Sequence, residues 1–310
     1  MRLLRIACLS LLLLPVALRA EEPVLLASVK PLAWLVAAIA PPGSRVEVLV
    51  PDGQSPHDYQ LRPADAVRLA RSALAVWVGP GLEPWLVQAA GRLPASRQLP
   101  LLPLSLHEHD HHGDADADHL ADTANDPHLW LDPQAMAAQA QPLAERLKAV
   151  YPAQAGVIDS RAAQFREAMA ALDTALAAQL APVASQGFVV YHDGYQRLVQ
   201  RYHLSQRAAV WRHESVPAGA RERAALLALL QHGDAQCLFY EPEHGADAVR
   251  GWLGSAAGNV RLVELDVLGG HVAPGDDAYP RFLRGLAGQM VACLADQSRA
   301  AYPLHKPDKP

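Results

Sequence analysis

Four side chains with metal-donor atoms stand just past strand-like runs or at loop turns of this 310-residue chain. His57 lies in PDGQSPHDYQLRP, His128 in NDPHLWLDP, His192 in YHDGY, and Asp266 follows VRLVEL. Three imidazoles and one carboxylate make a four-coordinate nitrogen–oxygen set. Neutral imidazole suits zinc, copper, nickel or iron, whereas manganese and calcium ask for more oxygen. Tetrahedral zinc matches the set best. Taken singly, each of these residues is more often a satisfied polar loop residue than a ligand. Four at equivalent topological points argue jointly for a metal centre. Asp58, Asp193 and Glu241 are candidates to hydrogen-bond the ligands, or else helix caps and surface charges.

The elements that must position these groups can be read from periodicity. VLLASVKPLAWLVAAIA is a strand, a turn at Pro31 and a helix; RVEVLV (45–50) is a strand closed by Pro51-Asp52-Gly53. RPADAVRLARSA is a helix and LAVWVG (74–79) a buried strand. The alternation resumes with GFVVY (187–191) and a helix from Tyr195. QCLFY (236–240) leads into a helix from Ala246, and VRLVEL (260–265) precedes a helix over 278–295. This is the pattern of α/β parallel sheets, whose binding sites form at the carboxyl ends of strands. Between the halves, Ile158, Ala162, Phe165, Met169, Leu172, Leu176 and Leu180 step by three or four along one face of a helix. Some 29 residues would span about 43 Å, which predicts a strut across two lobes rather than an ordinary surface helix. The organisation expected is a leader at 1–20, an N-terminal lobe at 21–151, a linking helix at 152–181 and a C-terminal lobe at 182–310.

Composition sets limits on function. Lys and Arg total 27 against 32 Asp and Glu, so no basic field exists to attract nucleic acid. Residues 1–20 carry Arg2 and Arg5, an apolar run from Ile6 to Leu18 and a small residue at Ala20, the form of a cleavable signal peptide. The exported chain is expected in the periplasm. Of three cysteines only Cys237 and Cys293 would remain after cleavage, an even pair in an oxidising compartment. A disulfide closing that loop is the expectation, with two buried thiols as the alternative.

One segment, HEHDHHGDADADHLADTAND (107–126), lacks the apolar residues that order a chain. His107, His109, His111, His112 and His119 lie there among five acids. They predict a weak secondary capture site for divalent metal, because an unscaffolded ligand set loses conformational entropy on coordination. His57, His128 and His192 lie outside the segment, so a cleft site should survive its deletion. The alternative is a solvated linker.

As a set in this order, GQSPHDYQLRPAD, VWVGPGLEPWL, the acidic-histidine insertion, DPHLWLDP, FVVYHDGY and QCLFYEP…LDVLGG resemble the ZnuA-type, zinc-specific solute-binding proteins of metal ABC transporters. The likeness runs over nearly all of 24–296. It implies two α/β lobes joined by a rigid helix, with the metal in the cleft. It also implies His57, His128 and His192 as ligands and a Cys237–Cys293 bond. Manganese- and iron-type relatives carry Glu at the position of His192; Pro56 and Val267 depart from the zinc pattern, while Asp266 is kept as the fourth candidate ligand.

The expected function is high-affinity capture of Zn²⁺ outside the cytoplasm, with delivery to an inner-membrane permease and its ATPase. The chain should act as a monomer without catalysis. A secreted zinc-dependent hydrolase is the rival, since three histidines and water can form a catalytic site. No stretch with a helical apolar pattern carries an H-E-x-x-H motif to support it.

Overall fold

The computed structural model describes residues 22–102, 126–213, 216–217 and 219–296. The expected leader and the five histidines His107, His109, His111, His112 and His119 lie outside the described residues.

The first half runs β1 (Val24–Ala27), α1 (Lys30–Ile39), β2 (Arg45–Val48), α2 (Pro63–Arg71), β3 (Leu74–Trp77), α3 (Val87–Ala90) and β4 (Gln98–Pro100). Two helices follow, α4 (Pro133–Ala138) and α5 (Ala140–Val150), and then the long α6 (Ala155–Leu180). The second half runs β5 (Gly187–His192), α7 (Gln196–Tyr202), β6 (Ser205–His213), β7 (Val216–Pro217), α8 (Ala220–His232) and β8 (Cys237–Tyr240). It ends with α9 (Ala246–Leu253), β9 (Arg261–Glu264) and α10 (Ala278–Leu294).

Each half builds its own sheet. The first has strand order β2-β1-β3-β4, all parallel. The second has order β7-β6-β5-β8-β9, parallel except at the β6–β7 edge. In both, the chain moves outward one way from a central strand and then the other, and β1 and β5 are those central strands. Ligand crevices open at the carboxyl ends of strands where the order reverses.

Pro31 does not turn the chain. It occupies the first turn of α1, where a missing N–H costs nothing. The long helix buries Ile158, Ala162, Phe165, Met169, Leu172, Leu176 and Leu180, the face foreseen from spacing. Single turns of 3₁₀ helix extend it at 152–154 and 181–183. α6 packs on α1, α4, α5 and α10. One apolar cluster therefore runs unbroken from Leu25 and Val76 in the first sheet, through α6, to Phe188 and Phe239 in the second.

Cys237 and Cys293 form a disulfide that ties β8 to α10. Arg261 adds to that joint by donating to the Cys293 carbonyl at 2.6 Å. Gly269 takes φ of +67°, and a Cβ there would lie 2.4 Å from the Trp34 ring. That turn needs glycine on both counts.

Candidate metal centre

Each candidate imidazole comes from a different structural setting. His57 sits in the irregular loop between β2 and α2, in which residues 51–54 are exposed. Trp85 Nε1 donates to the Pro56 carbonyl at 2.7 Å, and the Tyr59 hydroxyl donates to Asp65 Oδ2 at 2.7 Å. His128 precedes a 3₁₀ turn, Leu129–Leu131, whose three residues are fully buried. Asp132 then caps α4 by accepting from the Gln134 amide at 2.8 Å. His192 is the last residue of the central strand β5.

These three residues converge. One ligand atom from each lies within 4.8 Å of the other two. His57 Nε2 and His128 Nε2 are 3.1 Å apart, and the three ring centroids are spaced 5.1–5.2 Å. His128 is 3% exposed and His192 6%, so the trio is largely dry. Burial is the main cause that holds His57 down to about 2, with repulsion from a charged His128 added. His192 is depressed for the same reasons, burial first. Both rings are neutral at pH 7 and keep a lone pair for a cation.

The support beneath the ligands is only partly the one expected. Asp126 Oδ1 lies 2.7 Å from His128 Nδ1 and accepts from the His128 amide at 2.9 Å. A carboxylate on Nδ1 fixes the tautomer that leaves Nε2 free to coordinate. Asp126 is 8% exposed, so the acidic segment ends inside the site and not as pure linker. The expectation that all of 107–126 is dispensable to the cleft needs that correction.

Glu241 is 1% exposed, with Oε1 3.9 Å from His192 Nδ1 and Oε2 3.6 Å from His244 Nε2. It stands beside His192, at a distance longer than a hydrogen bond. Asp193 instead accepts from the Gln196 and Gln206 side chains at 2.8 and 2.7 Å, which anchors the start of α7. Asp58 lines a cavity of about 670 Å³ shared with Tyr191, His192, Glu243 and His244. Asp266 is not brought into the trio. Its Oδ1 accepts from the Leu268 and Gly269 amides at 3.1 and 2.8 Å, and it lines a separate cavity of about 230 Å³ with Asp52 and His271.

Gly194 was not singled out by sequence. A Cβ there would stand 2.9 Å from His192 Cε1 and 3.1 Å from His128 Cε1. Only glycine lets the backbone pass this close to both rings. The H-D-G spelling of the motif was the available signal.

Residues 25–293 match the family described as zinc-uptake complex component A, periplasmic. The chain belongs to this family. Proteins named high-affinity zinc uptake system protein ZnuA resemble it along most of their length. That of Yersinia pestis is 31% identical, with 86% of this chain and 90% of the relative covered. That of Paracoccus denitrificans is 34% identical, with 89% and 93% covered. Among solved structures, the periplasmic zinc-binding protein TroA from Treponema pallidum superposes with a TM-score of 0.73 at 20% identity, covering 89% of this chain and all of that one. A ZnuA crystal structure gives a TM-score of 0.69 at 20% identity over 88% of this chain and 99% of that one. The ZnuA-type fold is thus two parallel α/β halves on one long helix, as the sequence resemblance implied.

Proposed function

We propose that this chain captures Zn²⁺ outside the cytoplasm and hands it to an ABC permease driven by its ATPase. The observation that carries the reading is the convergence of three imidazoles, two of them buried, from both halves of the molecule, at ligand-to-ligand spacing. Zinc is the cargo. His57, His128 and His192 are its nitrogen ligands, and the fourth position is filled by Asp266 or by water.

The chain works as a monomer in the periplasm, with a cleaved leader at 1–20, and it turns over no substrate. Glu241, the carboxylate a hydrolase would need as base, lies on the Nδ1 side of His192, 3.9 Å away. The family relatives named for zinc uptake support this assignment over a hydrolase.

Metal analysis of untagged periplasmic protein should find zinc. A chelator-competition titration should give one tight site that His128→Ala weakens by orders of magnitude, because a four-coordinate shell loses a strong ligand. Wild-type affinity in that variant would refute the assignment. Asp266→Asn decides the fourth ligand: a loss of affinity marks the carboxylate, no change marks water.

A further inference from the structure

The segment 126–132 lies in the first half of the chain, yet its side chains are fastened to the second. Arg197 donates from its amide to Asp126 Oδ2 at 3.1 Å and from Nε to the Asp126 carbonyl at 2.6 Å. Arg201 Nε faces Asp132 Oδ1 at 3.3 Å, while its guanidinium also forks onto Asp173 of α6. Between these points, Trp130 Nε1 donates to the Val267 carbonyl at 2.7 Å, and the Tyr279 hydroxyl donates to the Trp130 carbonyl at 2.8 Å.

Arg197 and Arg201 are one helical turn apart on α7, and so share a face. α7 begins four residues after His192. The helix that leaves one imidazole therefore grips both ends of the segment that carries another.

We propose that Arg197 and Arg201 are positioning residues that clamp His128 against His192 before the metal arrives. The proposal rests on the reading of these two imidazoles as zinc ligands. Charge-assisted bonds are the strong ones: the Arg201 guanidinium meets the Asp132 and Asp173 carboxylates, and the Arg197 guanidinium meets the Asp126 carbonyl. Arg197 acts through Asp126, which is largely buried and touches His128 Nδ1 directly. A ligand pair held in place ahead of binding avoids the ordering cost that a loose pair would incur.

The test uses the full mature chain with Arg197→Gln, Arg201→Gln and the double substitution. Chelator competition should show zinc affinity lowered about 10- to 100-fold in the double variant, the range for loss of groups that orient a ligand. The cobalt(II) absorption bands of the cleft site should broaden as the ligand geometry loosens. The loss should persist in a His57→Ala background and vanish in His128→Ala, because the clamp acts through His128. Equal losses in both backgrounds would mark a general structural effect and overturn the proposal.

Wild-type affinity in the double variant, with His128→Ala still crippling binding, overturns the clamp and leaves the ligand assignment standing. Wild-type affinity in His128→Ala overturns both. Should the double variant not fold, Asp126→Asn with Asp132→Asn removes the charges and keeps the cap of α4. That pair should move affinity in the same direction, and unchanged affinity would again sink the clamp.

Discussion

The loop that carries His57 and the segment that carries His128 both belong to the first half of the chain, and they are held in opposite ways. The loop is exposed over 51–54 and leans on Trp85 and Asp65 of its own half. One route from it to the second half runs through Lys30, whose ammonium meets Asp52 at 2.9 Å and the Gly270 carbonyl at 2.7 Å. The segment 126–132 is buried and bonded to α7, α10 and the turn after β9. Two ligands that are neighbours in space thus belong to different mechanical bodies. A site built this way sets two ligands on packed elements and a third on a loop with an exposed turn.

Hydrogen exchange on the metal-free protein should show the largest contrast. Amides within 126–132 should exchange on the order of a hundredfold more slowly than those within 51–57, because they share the stability of the core. Equal rates would erase the distinction between the two regions. Gly194→Ala attacks the two ligands on packed elements directly, and it should weaken zinc about 10- to 100-fold with the fold intact by circular dichroism. Unchanged affinity would mean that the rings have room to move.

Two deletions sharpen the boundary. Removing 107–124 should leave the tight site untouched, whereas removing 107–126 should cost affinity through the loss of Asp126, and calorimetry would separate them. A smaller effect is expected on the loop side. Trp85→Phe deletes one hydrogen bond to Pro56, worth about 1 kcal/mol, or roughly fivefold in affinity, seen mainly as faster zinc release.

The change with the least bearing on zinc concerns Glu83, which precedes that tryptophan by two residues. Burial is the main cause that raises its carboxyl to about 7, against the hydrogen bonds it accepts from the Val78 and Gly79 amides. The folded state therefore holds more protons than the unfolded state between its ordinary value near 4.5 and about 7. Stability contributed there falls as pH rises through that window. Glu83→Gln should raise the melting temperature at pH 8 and make no difference near pH 4.5. A uniform shift at both values would show that charge is not the cause.

The parts of this molecule legible in sequence were those set by periodicity and by residue chemistry. The buried face of α6 and the central strands followed from spacing, and the three imidazoles from their place after strands or at loop turns. The helices α4 and α5 escaped notice because 133–150 is rich in alanine and glutamine, which blurs an apolar stripe. β6 was missed because polar residues open it and it lies next to the sheet edge. Asp126 and Arg197 could not be paired in advance, since they are 71 positions apart and one hides at the end of a low-complexity stretch. Contacts between remote polar side chains leave no local pattern to read.

The apolar cluster that passes unbroken through α6 bears on how the molecule melts. Two sheets would ordinarily suggest two calorimetric transitions, yet Ile158, Phe165 and Leu172 belong to the same packed body as Leu25 and Phe188. Pulling either sheet away would strip apolar surface from the helix and from its partner together, and each large side chain so exposed costs about 1.5–3 kcal/mol. A thermogram of the metal-free protein should therefore show a single endotherm. Fragments cut near either end of the helix should fail to fold alone, because each would carry a dry face with nothing to cover it.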